Sequence, residues 1–312
     1  MPTTRLPFTA VLAAVCLITM PALAAKKGWT EDYDAAKTKA GEQSKDLLLE
    51  FTGSDWCPPC KKLNEMVFSH DSFASGAGEH FVLVKLDFPR SKEQSADLKK
   101  QNRELQQKYG IRGYPTVMLT DAEGRPYAQT GFRQGGPEDY IAHLEELKKV
   151  RVERDKHFTA AQAAEGIDKA KHLHEGLEVL GSEMALTHYG ATVEQIIELD
   201  SDNEAGLKQK YNDLYAAKKI EKEIESIMQG ARNDPEGAVA KLDEVLARDG
   251  LSTASKQTVL TMKSQVQMFV LNDKETAKAT LTAAIEADPE SEMAEQLRGA
   301  MKRFFGDEGG TQ

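Results

Sequence analysis

Short apolar runs alternate with polar, helix-like stretches over roughly the first half of the chain. The runs Leu47–Phe51 and Phe81–Asp87 are brief and almost wholly apolar, which is typical of buried strands. Two more strand-like segments, Thr116–Leu119 and Tyr127–Thr130, flank the turn sequence 121–124 and predict a hairpin. The first half of the chain therefore contains at least four predicted strands.

Residues with helical spacing occupy the intervals between these strands. We expect one helix that opens at Thr30 and buries Ala36 and Ala40, and others over 61–68, over about 94–109 and from Pro137 onward. Proline is favoured in the first turn of a helix, where its missing N–H costs nothing. This order of strands and helices predicts an α/β domain.

Beyond about Arg154 the strand signals stop, and Ala, Leu, Glu and Lys dominate at helical spacing. Segments Gly237–Asp249 and Thr276–Asp288 resemble each other, and the ending Asp288-Pro289 resembles the turns of tetratricopeptide-type helical hairpins. The spacing exceeds that family's period of about 34 residues, so we interpret these as degenerate hairpins. The predicted domains are a signal peptide (1–24), an α/β domain (25–152), an all-helical, tetratricopeptide-like domain (153–306) and a disordered tail (307–312).

Length and charge narrow the class of protein. A chain of 312 residues is long enough for two domains, since a domain usually spans roughly 100–200 residues. The net charge of −10 argues against a nucleic-acid partner, because binding to phosphates requires a basic face. We therefore expect protein partners and no nucleic acid.

The first residues have the pattern of an export signal. Arg5 supplies positive charge, Phe8–Met20 is almost wholly apolar, and Ala22-Leu23-Ala24 is a small-x-small cleavage sequence. We predict cleavage after Ala24 or Ala25 and a periplasmic or secreted protein. The alternative is a permanent anchor, but the apolar run is shorter than the roughly 20 residues that a spanning helix needs.

Removal of that signal would also remove Cys16 and leave Cys57 and Cys60 as the cysteines of the mature chain. A lipoprotein site at Cys16 is disfavoured, because Val15 stands where such sites have a small residue. A disulfide between residues three apart stabilises a fold poorly, since the stabilisation grows with the length of the closed loop. The value of the pair is therefore chemical.

The sequence Trp56-Cys57-Pro58-Pro59-Cys60 lies where a predicted strand gives way to a helix. This location places Cys57 at a helix N-terminus, which lowers a thiol pKa from its free value of about 8.5. We predict an exposed nucleophilic sulfur on Cys57, with Cys60 beneath it as the resolving cysteine. Pro59 lacks an N–H that could reach this sulfur, so we expect a moderately lowered pKa and a reducing or electron-relaying role.

Trp-Cys-x-x-Cys after a strand, followed some 50 residues later by Gly110-Ile111-Arg112-Gly113-Tyr114-Pro115-Thr116, resembles the thioredoxin family over about Trp29–Leu147. The resemblance implies a central mixed sheet flanked by helices and a redox-active disulfide as the sole redox group, with no other cofactor. A zinc site is the alternative for a lone C-x-x-C. It needs two further ligands, and the mature chain has no further cysteine, so we expect no metal.

The resemblance also implies that Pro115 is cis and lies against the cysteines, and that the backbone of Tyr114 binds an extended substrate strand. Tyrosine departs from the family's usual aliphatic residue, and the alternative is an aromatic ring that only fills space beside Trp56. The implied substrate-binding residues are Trp56, Pro58, Pro59, Gly113, Tyr114 and Pro115.

By the same alignment, Glu50 stands where thioredoxins keep a buried acid behind the resolving cysteine, if one extra residue is allowed before Trp56. Burial would raise its pKa and suit it to take the proton from Cys60. Lys85 stands where the family has a lysine that faces this acid, so the catalytic set is Cys57, Cys60, Glu50 and Lys85. A purely structural ion pair of Glu50 and Lys85 is the alternative.

Two parts of the sequence go beyond what a minimal thioredoxin contains. Phe88-Pro89-Arg90 could form a lip that contacts partners, and the favoured alternative is a solvated helix face. The helical half shows no obvious catalytic motif, and we expect it either to hold a protein client or to serve as a scaffold.

The sequence therefore predicts an exported thiol–disulfide oxidoreductase of the protein-disulfide reductase type. It would act on protein disulfides or dithiols and receive electrons from a membrane or exported thiol donor. The alternative is a non-catalytic, chaperone-like module that uses the thioredoxin fold and the helices as a platform.

Overall fold

The computed structural model describes residues 28–306, and the chain divides into two compact units between Glu153 and Arg154. The predicted signal peptide, with Cys16, and the predicted tail over 307–312 lie outside the described residues. Within 28–306, no helix combines the length and the apolar character that crossing a bilayer requires.

The first unit is built on five strands: β1 (Trp29–Thr30), β2 (Asp46–Thr52), β3 (Phe81–Asp87), β4 (Thr116–Thr120) and β5 (Pro126–Gly131). They form one mixed sheet in the order β1-β3-β2-β4-β5. β1 and β2 both pair in parallel with β3, whereas β4 pairs antiparallel with β2 and with β5. The four predicted strands are confirmed. β1 was not predicted, because two residues are too few to show a periodic pattern.

The helices of this unit are α1 (Tyr33–Gln43), α2 (Pro58–Leu63), α3 (Asp71–His80), α4 (Ala96–Lys108) and α5 (Pro137–Ala163), and a π-helical turn, Asn64–Phe68, continues α2. The mixed sheet with accompanying helices confirms the predicted fold class. β2 is buried along its whole length, as expected for a strand with a neighbour on either side.

One predicted helix start was wrong. The helix expected from Thr30 begins at Tyr33, because the carboxylate of Asp32 accepts the Ala35 N–H at 2.9 Å and Thr30 belongs to β1. The helix that contains the predicted segment 61–68 begins at Pro58, directly after Cys57 as expected, and it changes to π-helical hydrogen bonding at Asn64. The predicted burial of Ala36 and Ala40 is confirmed.

Every secondary-structure element among the described residues of the second unit is a helix, as predicted. Its elements after α5 are α6 (Gly166–Leu180), α7 (Ser182–His188), α8 (Gly190–Leu199), α9 (Leu207–Gly230), α10 (Pro235–Leu246), α11 (Thr253–Phe269), α12 (Lys274–Ala287) and α13 (Glu292–Phe305). The two similar segments noted in the sequence fall on α10 and α12. Both helices are capped alike, because Asp234 accepts the Gly237 N–H at 3.0 Å and Asp273 accepts the Thr276 N–H at 3.1 Å. α11 packs against both α10 and α12.

Candidate active site

Cys57 lies at the N-cap of α2, directly after the turn that follows β2. Its own N–H donates to the Gly53 carbonyl at 2.9 Å, which fixes the turn. The N–H of Cys60 points at the Cys57 sulfur at 3.3 Å, whereas Pro58 and Pro59 have no N–H to offer. The predicted position of Cys57 at a helix N-terminus is confirmed, and the two cysteines are joined in a disulfide.

Both cysteines are buried in this disulfide form, with 3% of Cys57 and 1% of Cys60 exposed. The expectation of an exposed Cys57 sulfur above a covered Cys60 is therefore wrong for the oxidised protein. The cause is the loop at Tyr114, whose carbonyl oxygen lies 3.6 Å from the Cys57 sulfur. A disulfide sulfur carries no proton, so this approach is a packing contact here. In the reduced protein a Cys57 thiol could donate to the same oxygen.

The loop before β4 contains the cis peptide bond between Tyr114 and Pro115, as the family resemblance implied. The hydroxyl of Thr116 donates to the Gly113 carbonyl at 2.9 Å and closes the loop. Within residues 28–306, the backbone N–H of Tyr114 has no hydrogen-bond acceptor. The loop therefore presents a free donor beside the disulfide.

Aromatic rings pack together next to the cysteines. The rings of Trp56 and Tyr114 lie 5.8 Å apart and perpendicular, and Phe88 packs on Tyr114 at 5.2 Å. The Trp56 indole N–H donates to the Phe88 carbonyl at 2.8 Å. Burial raises the pKa of the Tyr114 phenol, which accepts a hydrogen bond from Gln106 at 2.7 Å. The ring of Tyr114 thus packs beside Trp56 while its backbone faces the Cys57 sulfur.

The segment after β3 was interpreted wrongly as a solvated helix face. Residues 88–95 form a loop, and α4 begins only at Ala96. Asp55 accepts the backbone N–H groups of Arg90 at 3.0 Å and Ser91 at 2.6 Å. Both hydrogen bonds lower the pKa of the Asp55 carboxyl, and the bond from Ser91 has the larger effect. The guanidinium carbon of Arg90 then lies 3.8 Å over the Trp56 ring, so the segment forms a lip beside the cysteines.

Two acids lie near the strand ends beneath the site. Glu50, on β2, is 4% exposed and stands opposite Lys85 in the β2–β3 register. The pKa of the Tyr140 phenol is raised, mainly by burial and to a smaller extent by the negative charge of Glu50. The ammonium of Lys85 forms its ion pair with Asp87 at 3.6 Å.

Asp87 was missed by sequence reasoning. Its carboxylate accepts the backbone N–H of Ser54 at 2.9 Å and the Ser54 hydroxyl at 2.5 Å. It thereby ties the end of β3 to the turn that carries Trp56 and Cys57. The sequence did contain a signal for Asp87, because it is an acidic residue at the end of an apolar run that predicts a buried strand.

A group with metal-ligating chemistry lies in the second unit, where His157, His172 and Glu175 bring their donor atoms within 4.8 Å of one another. Nδ1 of His157 and Nδ1 of His172 approach the same Glu175 oxygen at 2.9 and 3.2 Å. Hydrogen bonds between the two imidazole groups and this carboxylate account for these distances. His174 contacts Tyr211 instead, at 3.0 Å, so His172 and His174 point to different faces of α6.

Comparison with known proteins extends these observations. A family model described as a thioredoxin-like domain matches residues 33–148. The disulfide bond reductase DsbH of Chlamydia pneumoniae is 35% identical over 133 residues, which are 43% of this chain and 80% of that protein. The chain belongs to the thioredoxin-like family.

The chain is also similar to two further proteins. The thiol:disulfide interchange protein DsbD of Vibrio vulnificus is 31% identical over 120 residues, which are 38% of this chain and 18% of DsbD. A solved structure titled "DsbH Oxidoreductase" is 33% identical, with a TM-score of 0.38, and the match covers 44% of this chain and 95% of that one. Together with the Cys57–Cys60 disulfide, membership of the thioredoxin-like family makes this chain a thiol–disulfide oxidoreductase.

Proposed function

We propose that the protein is an exported reductase of protein disulfides, with Cys57 as the nucleophile and Cys60 as the resolving cysteine. The observation that carries this proposal is the position of the Cys57 sulfur, which receives the Cys60 N–H at 3.3 Å and borders the Tyr114 loop. The redox domain would comprise residues 25–152 and the helical domain residues 153–306.

The cycle starts from the reduced pair. The Cys57 thiolate attacks one sulfur of a client disulfide, a mixed disulfide forms, and the second client sulfur leaves as a thiolate that takes up a proton. Cys60 then loses its proton and attacks the Cys57 sulfur. The Cys57–Cys60 disulfide forms, and the client leaves as a dithiol with two electrons and two protons gained. A thiol donor of the membrane or the exported compartment would return the pair to its reduced state.

Two features support Cys57 as the attacking sulfur. The Cys60 N–H would hydrogen-bond to a thiolate on Cys57, and such a bond favours the charged form of the group. The missing N–H groups of Pro58 and Pro59 limit this stabilisation. We therefore expect the Cys57 pKa to lie nearer the value of about 7 known for thioredoxin than the value of about 3.5 in DsbA. Titration of thiolate absorbance in the reduced protein measures it, and a value below about 5 would contradict the reducing role.

Glu50 would accept the Cys60 proton during resolution, with Lys85 moderating its charge. The burial of Glu50 and its register with Lys85 support this role. The ion pair between Lys85 and Asp87 makes a purely structural function of Lys85 the competing explanation. Glu50→Gln should slow the release of client from the mixed disulfide and flatten the pH dependence of that step, whereas a structural role would change stability and leave the pH profile intact.

The client would bind as an extended segment along the Tyr114 loop. The free N–H of Tyr114 supports this mode, because strand-like recognition needs an unoccupied backbone donor. Trp56, Pro58, Pro59, Gly113 and Pro115 would form the rest of the contact surface, and of these Pro58, Pro59 and Gly113 are exposed.

The helical domain would hold longer clients. The rings of Phe269 and Phe304 support this role, because they are 64% and 47% exposed and lie 5.6 Å apart. Replacing both by Ser should slow reduction of a scrambled, disulfide-containing protein and leave reduction of a short cyclic disulfide peptide unchanged. Equal rates on both substrates would assign the domain a scaffold role.

Insulin reduction in the presence of dithiothreitol tests the main proposal. Wild-type protein should accelerate insulin precipitation, Cys57→Ser should abolish the acceleration, and Cys60→Ser should accumulate a mixed disulfide. An intact rate in Cys57→Ser would refute the assignment and favour the non-catalytic platform.

A further inference from the structure

The surroundings of the disulfide are basic, although the whole chain carries a net charge of −10. Four exposed cations come from three segments that border the cysteines: Lys61, Lys62, Arg90 and Arg112. Asp55, the acid next to Trp56, is engaged by the backbone N–H groups of Arg90 and Ser91. A client that approaches Cys57 therefore meets a positive local field, which an acidic segment would favour.

The side chain of Arg90 is held in place on the Trp56 ring. Its backbone is tied to Asp55 at 3.0 Å, and the Phe88 carbonyl in the same loop accepts the indole N–H of Trp56 at 2.8 Å. The carbon of the guanidinium lies 3.8 Å from the centre of the Trp56 ring, a distance typical of stacking. Stacking uses the face of the guanidinium and leaves the N–H groups along its edge free to bind.

Within residues 28–306, no carboxylate forms an ion pair with Arg90. The edge of a guanidinium is suited to planar bidentate pairing with a carboxylate or a phosphate. Arg90 is thus an oriented cation beside the reactive sulfur, with its binding edge unoccupied by the described part of the chain.

We propose that Arg90 forms a carboxylate-binding subsite that takes an Asp or Glu side chain of the client next to the disulfide under reduction. This inference rests on the proposed function and adds the chemical class of client. Trp56 serves as the platform that orients the guanidinium, and Asp55 fixes the loop without competing for its edge. The protein then prefers disulfides that lie in acidic segments over those in neutral or basic segments.

A matched pair of cyclic disulfide peptides tests the proposal. The two peptides share one sequence except for Glu or Gln at the residue next to one cysteine, and the full-length protein is used with its cysteine pair reduced beforehand. Stopped-flow tryptophan fluorescence measures the second-order rate of reduction. At low salt, the wild type should reduce the Glu peptide about 1.4- to 5-fold faster, which is the range that one exposed ion pair supports. Raising the ionic strength to about 1 M should remove most of the difference, because the Debye length falls to about 3 Å.

Three variants separate the subsite from other roles of Arg90. Arg90→Gln should lose the preference for Glu while it retains the rate on the Gln peptide. Arg90→Lys should keep part of the preference, because the charge stays and the planar fork is lost. Arg103→Gln, which removes the same charge from an exposed position of α4, should keep the whole preference.

The outcomes distinguish failure of the subsite from failure of the proposed function. Equal wild-type rates on the two peptides, or equal losses on both peptides in Arg90→Gln, overturn the subsite and leave the reductase in place. Reduction of neither peptide by the wild type overturns the reductase and the subsite together.

Discussion

Trp56 is confined on two sides, and Gly53 is the residue that makes room for it. A Cβ atom at position 53 would lie 2.5–2.8 Å from three atoms of the indole ring, which no packed structure tolerates. Gly53→Ala must therefore either strain the turn or displace the ring. Displacement would break the indole N–H bond to Phe88 and the stacking contact with Arg90.

The structure allows the two responses to be compared. Holding the ring in place is an overpacking problem, with a typical cost of about 1–3 kcal/mol. Moving the ring loses one hydrogen bond, about 0.5–1.5 kcal/mol, and one exposed cation–π contact, about 0.5–1 kcal/mol. The protein takes the response of lower energy, so the free energy of unfolding should fall by about 1–2.5 kcal/mol.

Displacement should also be visible in fluorescence. The chain has two tryptophans, and Trp29 is only 6% exposed, so a rise in acrylamide quenching reports on Trp56. We expect Gly53→Ala to show more quenching, a lower urea midpoint and slower insulin reduction. Gly41→Ala is the matched control, because nothing lies within 4 Å of a Cβ at this position in the last turn of α1. It should keep the wild-type stability or gain up to about 1 kcal/mol, and it should leave activity unchanged. If Gly53→Ala unfolds at the wild-type urea concentration with unchanged quenching, Trp56 is not confined as described.

Two further predictions concern stability. Burial raises the pKa of the Asp46 carboxyl although Arg151 and Tyr127 bind it, so the folded state holds this proton more tightly than the unfolded state. The stability that this bound proton contributes is complete below about pH 3.8 and is lost as the pH rises through the folded pKa of Asp46. Asp46→Asn has no such proton to lose, so its free energy of unfolding should rise relative to the wild type over that pH range. Urea titrations at pH 4 and pH 7 should show the change. An equal difference in unfolding free energy at pH 4 and at pH 7 would contradict the raised pKa of Asp46. Gly176→Ala should destabilise the protein by about 1–3 kcal/mol in thermal or urea unfolding, because its Cβ would meet the Phe158 ring at 2.5 Å, and an unchanged midpoint would show that α5 and α6 are not so close.

Local sequence patterns predicted the elements that carry the chemistry. The strand at Leu47–Phe51 and the helical spacing over 61–68 placed Cys57 at the transition from strand to helix, which is where it lies. The hairpin of β4 and β5 and the start of α5 at Pro137 were predicted for the same reason. Each depends on periodicity or on backbone restrictions within a few residues.

Family resemblance contributed a different kind of information. The cis bond before Pro115 has no local signal, since most X-Pro bonds are trans, and it followed only from the resemblance to thioredoxins. The residues around the bond were predicted as a group, but the contact between the Tyr114 carbonyl and the Cys57 sulfur was not. That contact explains why the disulfide is covered and why the predicted exposure of Cys57 was wrong.

The lip beside Trp56 could not be deduced from the order of residues. Asp55 binds the N–H groups of residues 35 and 36 positions away, and Asp87 binds Ser54 from 33 positions away. Nothing local distinguishes Arg90 from any other arginine in a polar stretch. Its position follows from the pairing of β2 with β3, which brings the ends of both strands together.

Sequence alone determined the α/β and all-helical halves, the reactive cysteine pair and the helix end on which Cys57 lies, because these follow from short-range patterns of apolar residues, prolines and caps. Only the tertiary structure decided what surrounds the cysteines: the covering carbonyl of Tyr114, the acid at Asp87 and the oriented guanidinium of Arg90. Such contacts join segments that are distant along the chain, and their energies depend on the angle and distance at which the folded strands present them.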